Sequence, residues 1–124
     1  MEKEKIVLFS EPEEATSKLL YPYMNKQGYR SCTARSLKET LLTLQGQRVD
    51  ALVIDSALLE EDCGFLSVIK GIEKDLPIII CAESNTPELE SKIRQQKIFY
   101  YHIKSFGTED LEMAVSNAIN GLSQ

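Results

Sequence analysis

Little in this chain points to a metal framework or a disulfide scaffold. It has one histidine, His102, and three scattered cysteines, Cys32, Cys63 and Cys81. With no CxxC pair and an odd count, neither a zinc site nor a disulfide framework is suggested, and the expectation is a cytoplasmic protein with free thiols. Basic residues are outnumbered, 14 Lys and Arg against 19 Asp and Glu, and the net charge of -5 argues against broad binding to nucleic acid or membranes. No apolar stretch is long enough to cross a bilayer, and the opening Met1-Glu-Lys-Glu-Lys5 is charged, unlike a signal peptide. Low-complexity tracts, repeats and linkers are also missing. The chain lacks the Gly-, Ser- and Thr-rich turn that would cradle a cofactor phosphate after a first strand, because Ser10-Glu-Pro-Glu-Glu14 offers acids there instead. No nucleophile–base pair is evident, so enzymatic turnover is not expected.

What is present is a series of short apolar runs. The 124 residues suffice for one domain, 1–124, with a real core. Ala51-Leu-Val-Ile54 is unbroken and ends in Asp55. A strand that is apolar on both faces belongs in the middle of a sheet covered by helices on each side. Ile6-Val-Leu-Phe9 and Ile78-Ile-Ile-Cys81 have the same character. Tyr29 to Thr33 and Phe99 to Ile103 are mixed, as edge strands are.

Helical spacing fills the gaps. Glu13 and Glu14 favour a first turn, followed by Ala15, Leu19 and Tyr23 as a stripe with Leu20 and Met24 beside it. Pro22 predicts a kink there, and Gly28 an end. Ser36 and Glu39 form a capping box ahead of Leu37, Leu41 and Leu44. Leu58 to Asp62 reads as an acidic solvated loop. Gly64 opens a third helix carrying Phe65, Val68, Ile69 and Ile72. Thr86-Pro87 starts a mostly exposed fourth helix with Leu89 and Ile93. Thr108 caps a fifth, which buries Leu111, Ala114, Val115, Ala118, Ile119 and Leu122. The order βαβαβαβαβα predicts a flavodoxin-like, doubly wound (βα)5 three-layer sandwich with a parallel sheet in the order 2-1-3-4-5.

Ligands in such sheets sit beyond the carboxyl ends of the strands. That edge would gather Ser10 and Glu11 after strand 1, Asp55 after strand 3 and Lys104 after strand 5. Two readings stand for Asp55, a cap on the next turn or a reactive carboxylate. Likewise, Lys104 could pair with Asp55 for local neutrality alone, worth about 1 kcal/mol if exposed. His102 is expected as a surface or packing residue. Cys63 has no basic neighbour in sequence to make it reactive.

Four segments, Lys5-Ile-Val-Leu-Phe-Ser-Glu11, Asp50-Ala-Leu-Val-Ile-Asp55, Pro77-Ile-Ile-Ile-Cys-Ala82 and Tyr101-His-Ile-Lys-Ser-Phe106, together resemble the receiver domains of two-component response regulators (CheY-like) over nearly the whole chain. The resemblance implies phosphorelay signal transduction, with a histidine kinase or phosphotransfer protein donating a phosphoryl group to Asp55. It implies Lys104 as the partner of the phosphoryl oxygens and Tyr101 as the aromatic switch. It also implies Mg²⁺ held by Glu11, Asp55 and the backbone carbonyl of Ala57.

Three positions depart from the family pattern. The acidic pair after strand 1 reads Ser10-Glu11, so Ser10 stands at a lost acid position; counting back from Gly28 instead places Glu11 first and Pro12 second. The hydroxyl position after strand 4 is Ala82, with Ser84 two residues further on, and the proline after the lysine is Ser105. A lost ligand or donor typically costs about 10- to 1000-fold in metal affinity or rate. The resemblance therefore implies a degenerate member with weak Mg²⁺ binding and slow or absent aspartyl phosphate formation. The alternative is a phosphorylation-independent pseudo-receiver that works only by protein contact. Helix 4, strand 5 and helix 5, with Tyr100, Tyr101 and Phe106, are the expected surface for an output domain or a second copy.

Overall fold

The computed structural model describes residues 4–60, 64–83 and 87–121. Five parallel strands, β1 (Ile6–Ser10), β2 (Arg30–Ala34), β3 (Ala51–Asp55), β4 (Ile78–Ala82) and β5 (Tyr100–Ile103), lie in the order β2-β1-β3-β4-β5. Helices α1 (Thr16–Gln27) and α5 (Glu109–Ile119) cover one face; α2 (Leu37–Gly46), α3 (Phe65–Ile72) and α4 (Pro87–Arg94) cover the other. This is the expected flavodoxin-like architecture and strand order.

The period-2 alternation of the strands builds two separate cores. Val7, Phe9, Ala51, Val53, Ile79 and Cys81 pack against Leu20 and Met24 of α1 and against Leu111, Ala114, Val115 and Ala118 of α5. Leu8, Leu52, Ile54, Ile78, Ile80 and Ala82 pack against Leu44, Phe65, Leu66, Ile69 and Ile93. β3 and β4 are buried along their whole length, which explains their unbroken apolar runs.

Two helices are rotated relative to their sequence patterns. In α1 the buried line is Thr16, Leu20 and Met24; Ala15 precedes the helix, Leu19 is 66% exposed and Tyr23 is half-buried. The stripes 15/19/23 and 16/20/24 share one period and lie about 100° apart, so periodicity alone does not choose between them. In α3 the sheet-facing residues are Phe65, Leu66 and Ile69, while Val68 and Ile72 are exposed.

The helix ends carry further corrections. No acid lies in the first turn of α1, and Glu13 and Glu14 sit exposed ahead of it. The helix runs through Pro22, and Gly28 closes it at φ +74°, with the Gly28 and Tyr29 N–H groups donating to Asn25 and Met24 carbonyls. Ser36 accepts from the Glu39 N–H, but the Glu39 carboxylate takes the N–H of Arg35 rather than that of Ser36. Thr108 occupies the cap position of α5 without a side-chain capping bond. Leu58 and Leu59, expected in a solvated loop, pack inward, Leu59 fully. Residues 61–63, 84–86 and 122–124, including Cys63, Ser84, Thr86 and Leu122, lie outside the described residues.

Candidate functional site

The carboxyl ends of β1, β3, β4 and β5 converge on one rim. Parallel pairing sets Ser10 beside Ile54, Asp55 beside Cys81, and Ala82 beside Ile103. Asp55 is 8% exposed, and each of its oxygens is engaged. Oδ1 accepts the N–H of Ala57 at 2.8 Å, capping the short 3-10 turn Ser56–Leu58, and Oδ2 accepts from the Lys104 ammonium at 2.5 Å. The cap reading of Asp55 and the pairing of Lys104 with it thus hold together. Lys104 also reaches Glu83 at 3.4 Å. Burial works to lower the pKa of Lys104, but the hydrogen bond and charge of Asp55, then those of Glu83, outweigh it and raise it.

The strand-1 residues turn elsewhere. Ser10 is fully buried, its Oγ 2.7 Å from Thr40 Oγ1, which lies 2.8 Å from the Ser36 carbonyl. One hydroxyl carries one proton, so the consistent chain has Ser10 donating to Thr40 and Thr40 to the carbonyl. Glu11 is 3% exposed, and its carboxylate accepts the N–H groups of Ala15 (3.2 Å), Thr16 (2.9 Å) and Ser17 (3.1 Å) at the start of α1. Of the expected metal set of Glu11, Asp55 and the Ala57 carbonyl, Glu11 turns to the helix, and Asp55 meets Ala57 through that residue's N–H. No three His, Cys, Asp or Glu side chains among the described residues are placed to hold a metal ion. Each Asp55 oxygen keeps a second lone pair, but an ammonium stands against one of them and the Glu11 carboxylate is turned to three amides, so the set does not present Mg²⁺ with the paired carboxylates it needs.

Tyr101 points into the core, and its buried hydroxyl has no hydrogen-bond partner among the described residues. The Arg94 guanidinium lies 5.3 Å from its ring centroid. Burial raises the phenol's pKa, Glu90 adds to this, and Arg94 opposes it. Ala82 at the end of β4 offers no donor. Of the expected contact surface, Phe106 is 73% exposed, Tyr100 is half-buried and Tyr101 is buried.

Sequence reasoning missed Thr40 and Cys81; His102, expected as a surface or packing residue, is buried. Thr40 was legible as the one polar residue on the α2 stripe 37/40/41/44. Cys81 lies under the site; burial pushes its thiol up to about 12, with Lys104 opposing and Asp55 and Glu11 adding.

The sequence matches no protein-family model and no curated protein. Solved structures match over almost the whole chain. A response regulator from Thermotoga maritima superposes with a TM-score of 0.84 at 17% identity, covering 95% of this chain and 99% of that one. The signal receiver domain of an HD domain-containing protein from Pseudomonas fluorescens Pf-5 gives 0.84 at 20% identity, with 96% and 97% covered. The N-terminal domain of a response regulator/sensory box/GGDEF three-domain protein from Carboxydothermus hydrogenoformans gives 0.78 at 24%, with 94% of each covered. The chain has the response regulator receiver fold.

Asp55 and Lys104 lie at the carboxyl edge of the parallel sheet, the edge at which doubly wound folds hold ligands. Among the described residues no helix is long and apolar enough to cross a membrane.

Proposed function

We propose that this chain is a signalling module of the receiver type whose message passes by protein contact, with Asp55 accepting a phosphoryl group slowly or not at all. The observation that supports this reading is the engagement of both Asp55 oxygens, by the Ala57 amide and the Lys104 ammonium, beside a β4 end that carries Ala82. Attack on phosphorus uses a carboxylate oxygen, and here each oxygen starts with a hydrogen-bond partner on a side chain only 10% exposed. Lys104 could still hold phosphoryl oxygens, since ammonium groups bind such anions as point charges. No hydroxyl at position 82 would complete the cradle.

The partners fitting this reading are a histidine kinase or phosphotransfer protein upstream and an output domain, output protein or second copy downstream, in the cytoplasm. The α4–β5–α5 side is the surface we assign to them, with Phe106 as its exposed aromatic. Two of the similar structures are domains of larger proteins, one with an HD domain and one with a sensory box and GGDEF domain. Independent turnover forms no part of this reading.

The test is intact mass after incubation with acetyl phosphate, with and without Mg²⁺, beside Asp55→Asn. Gain of one phosphoryl group in the parent only, slowly, supports a working but impaired receiver. No gain under any condition favours the contact-only module. Rapid, complete modification would overturn the reading.

A further inference from the structure

The strand-1 carboxylate has a different employment in this chain. A helix leaves its first four N–H groups without internal partners. Glu11, at the end of β1, satisfies three donors at the start of α1: Oε1 takes Ala15 and Thr16, and Oε2 takes Ser17. Its own N–H donates to the Ala34 carbonyl at 2.9 Å, so its backbone is tied to the end of β2. An anion at a helix amino end meets the positive end of the macrodipole, and bonds from amides to a carboxylate are the charge-assisted kind. Both lone pairs of Oε1 are taken by amides, so only Oε2 keeps one, and an ion there would compete with the Ser17 N–H for that oxygen. An ion at Asp55 would stand against the Lys104 ammonium on Oδ2, and the Ser10 hydroxyl is turned into the opposite layer toward Thr40.

We propose that this rim is metal-independent: Lys104 is its resident cation, and Glu11 is a positioning residue that clamps the start of α1 to the end of β1 rather than a metal ligand. The inference rests on the receiver-type reading of the site. Its contrast with that reading is that no divalent ion takes part.

The experiment uses the isotope-labelled chain without any phosphodonor. Mn²⁺ broadens amide signals close to where it binds, and Mg²⁺ is titrated in parallel. Expected is no saturable broadening at residues 10–12 or 55–57 and no thermal shift with Mg²⁺. Saturable broadening centred on Glu11 and Asp55 would overturn the proposal. In the same samples, Glu11→Gln should accelerate hydrogen exchange at Ala15, Thr16 and Ser17 by about ten- to a hundredfold. Val53 and Ile79, in the sheet centre, should not change. Glu11→Asp keeps the charge and should restore part of the protection, which also keeps the test valid if Gln fails to fold. Unchanged protection in both variants would refute the clamp. Because no phosphoryl donor is present, these outcomes are independent of the mass measurement on Asp55.

Discussion

Lys104 reaches over the end of β4 to Asp55, with Nζ and Oδ2 2.5 Å apart, so strands β3 and β5 are joined by charge although neither pairs with the other. With side-chain exposures of 23% and 10%, the pair is shielded enough for removal of one partner to matter. Lys104→Met should cost about 1–3 kcal/mol, because Asp55 is left with one amide as its only donor among the described residues. The double change with Asp55→Asn should cost less than the sum of the two single changes. Urea denaturation of the four proteins measures this, and strict additivity would count against a coupled pair.

The same pair sets an alkaline limit. The folded-state pKa of Lys104 is raised, so its contribution is fully present below the ordinary lysine value of 10.5 and is lost as pH climbs through the higher folded value. Stability curves of the parent and Lys104→Met should therefore converge only above that range. Convergence near neutrality would contradict the assignment.

Tyr101 carries a buried hydroxyl without a partner among the described residues. Tyrosine-to-phenylalanine changes usually lose a hydrogen bond, but here Tyr101→Phe should leave stability unchanged or raise it by up to about 1 kcal/mol. A loss beyond about 1 kcal/mol in urea unfolding would show that the hydroxyl is paired in solution.

His102 is buried at 2% exposure, and burial lowers its pKa below 6.5, against the weaker pull of the Gly107 backbone and Asp110. The unfolded chain then binds a proton before the folded chain does. The stability tied to neutral His102 is present above 6.5 and is lost as pH falls through the folded value. Imidazole titration by NMR should give a value below 6.5, and His102→Leu should flatten the acid limb of the stability curve.

Lys97 adopts φ +57° in the turn between α4 and β5, a left-handed conformation that disfavours a side chain. Its charge also opposes that of Lys70. Lys97→Gly removes both effects and should raise stability by about 0.5–1 kcal/mol, read from the urea midpoint. A loss would mean that the Lys97 side chain makes a contact worth more than the strain.

The inner strands were legible because burial on both faces leaves a run such as Ala51 to Ile54 with no polar position. Asp55 and Lys104 were legible because charges at the end of apolar strands have nowhere to go but the rim. The role of Glu11 was not, because a carboxylate before a helix looks alike whether it turns to the helix or away from it. Only the spacing to Ala15, Thr16 and Ser17, which lets one side chain meet three amides, carries the signal. The rotation of α1 escaped for a related reason: Leu19 and Leu20 lie on adjacent stripes of one period, and periodicity does not choose between them. His102 was expected at the surface or in packing, and it packs: the strand's edge position does not decide between the two, and the Gly107 backbone and Asp110 lie close to it.

The two hydrophobic clusters share no residue, since the sheet's backbone separates them. The protein therefore has two independent volumes to fill. Room made on the α1–α5 side cannot receive a bulkier residue from the α2–α3–α4 side, because each strand position addresses one compartment only. Compensating changes in sequence must arise in pairs within a compartment, so the chain drifts as two half-proteins bound back to back along five strands.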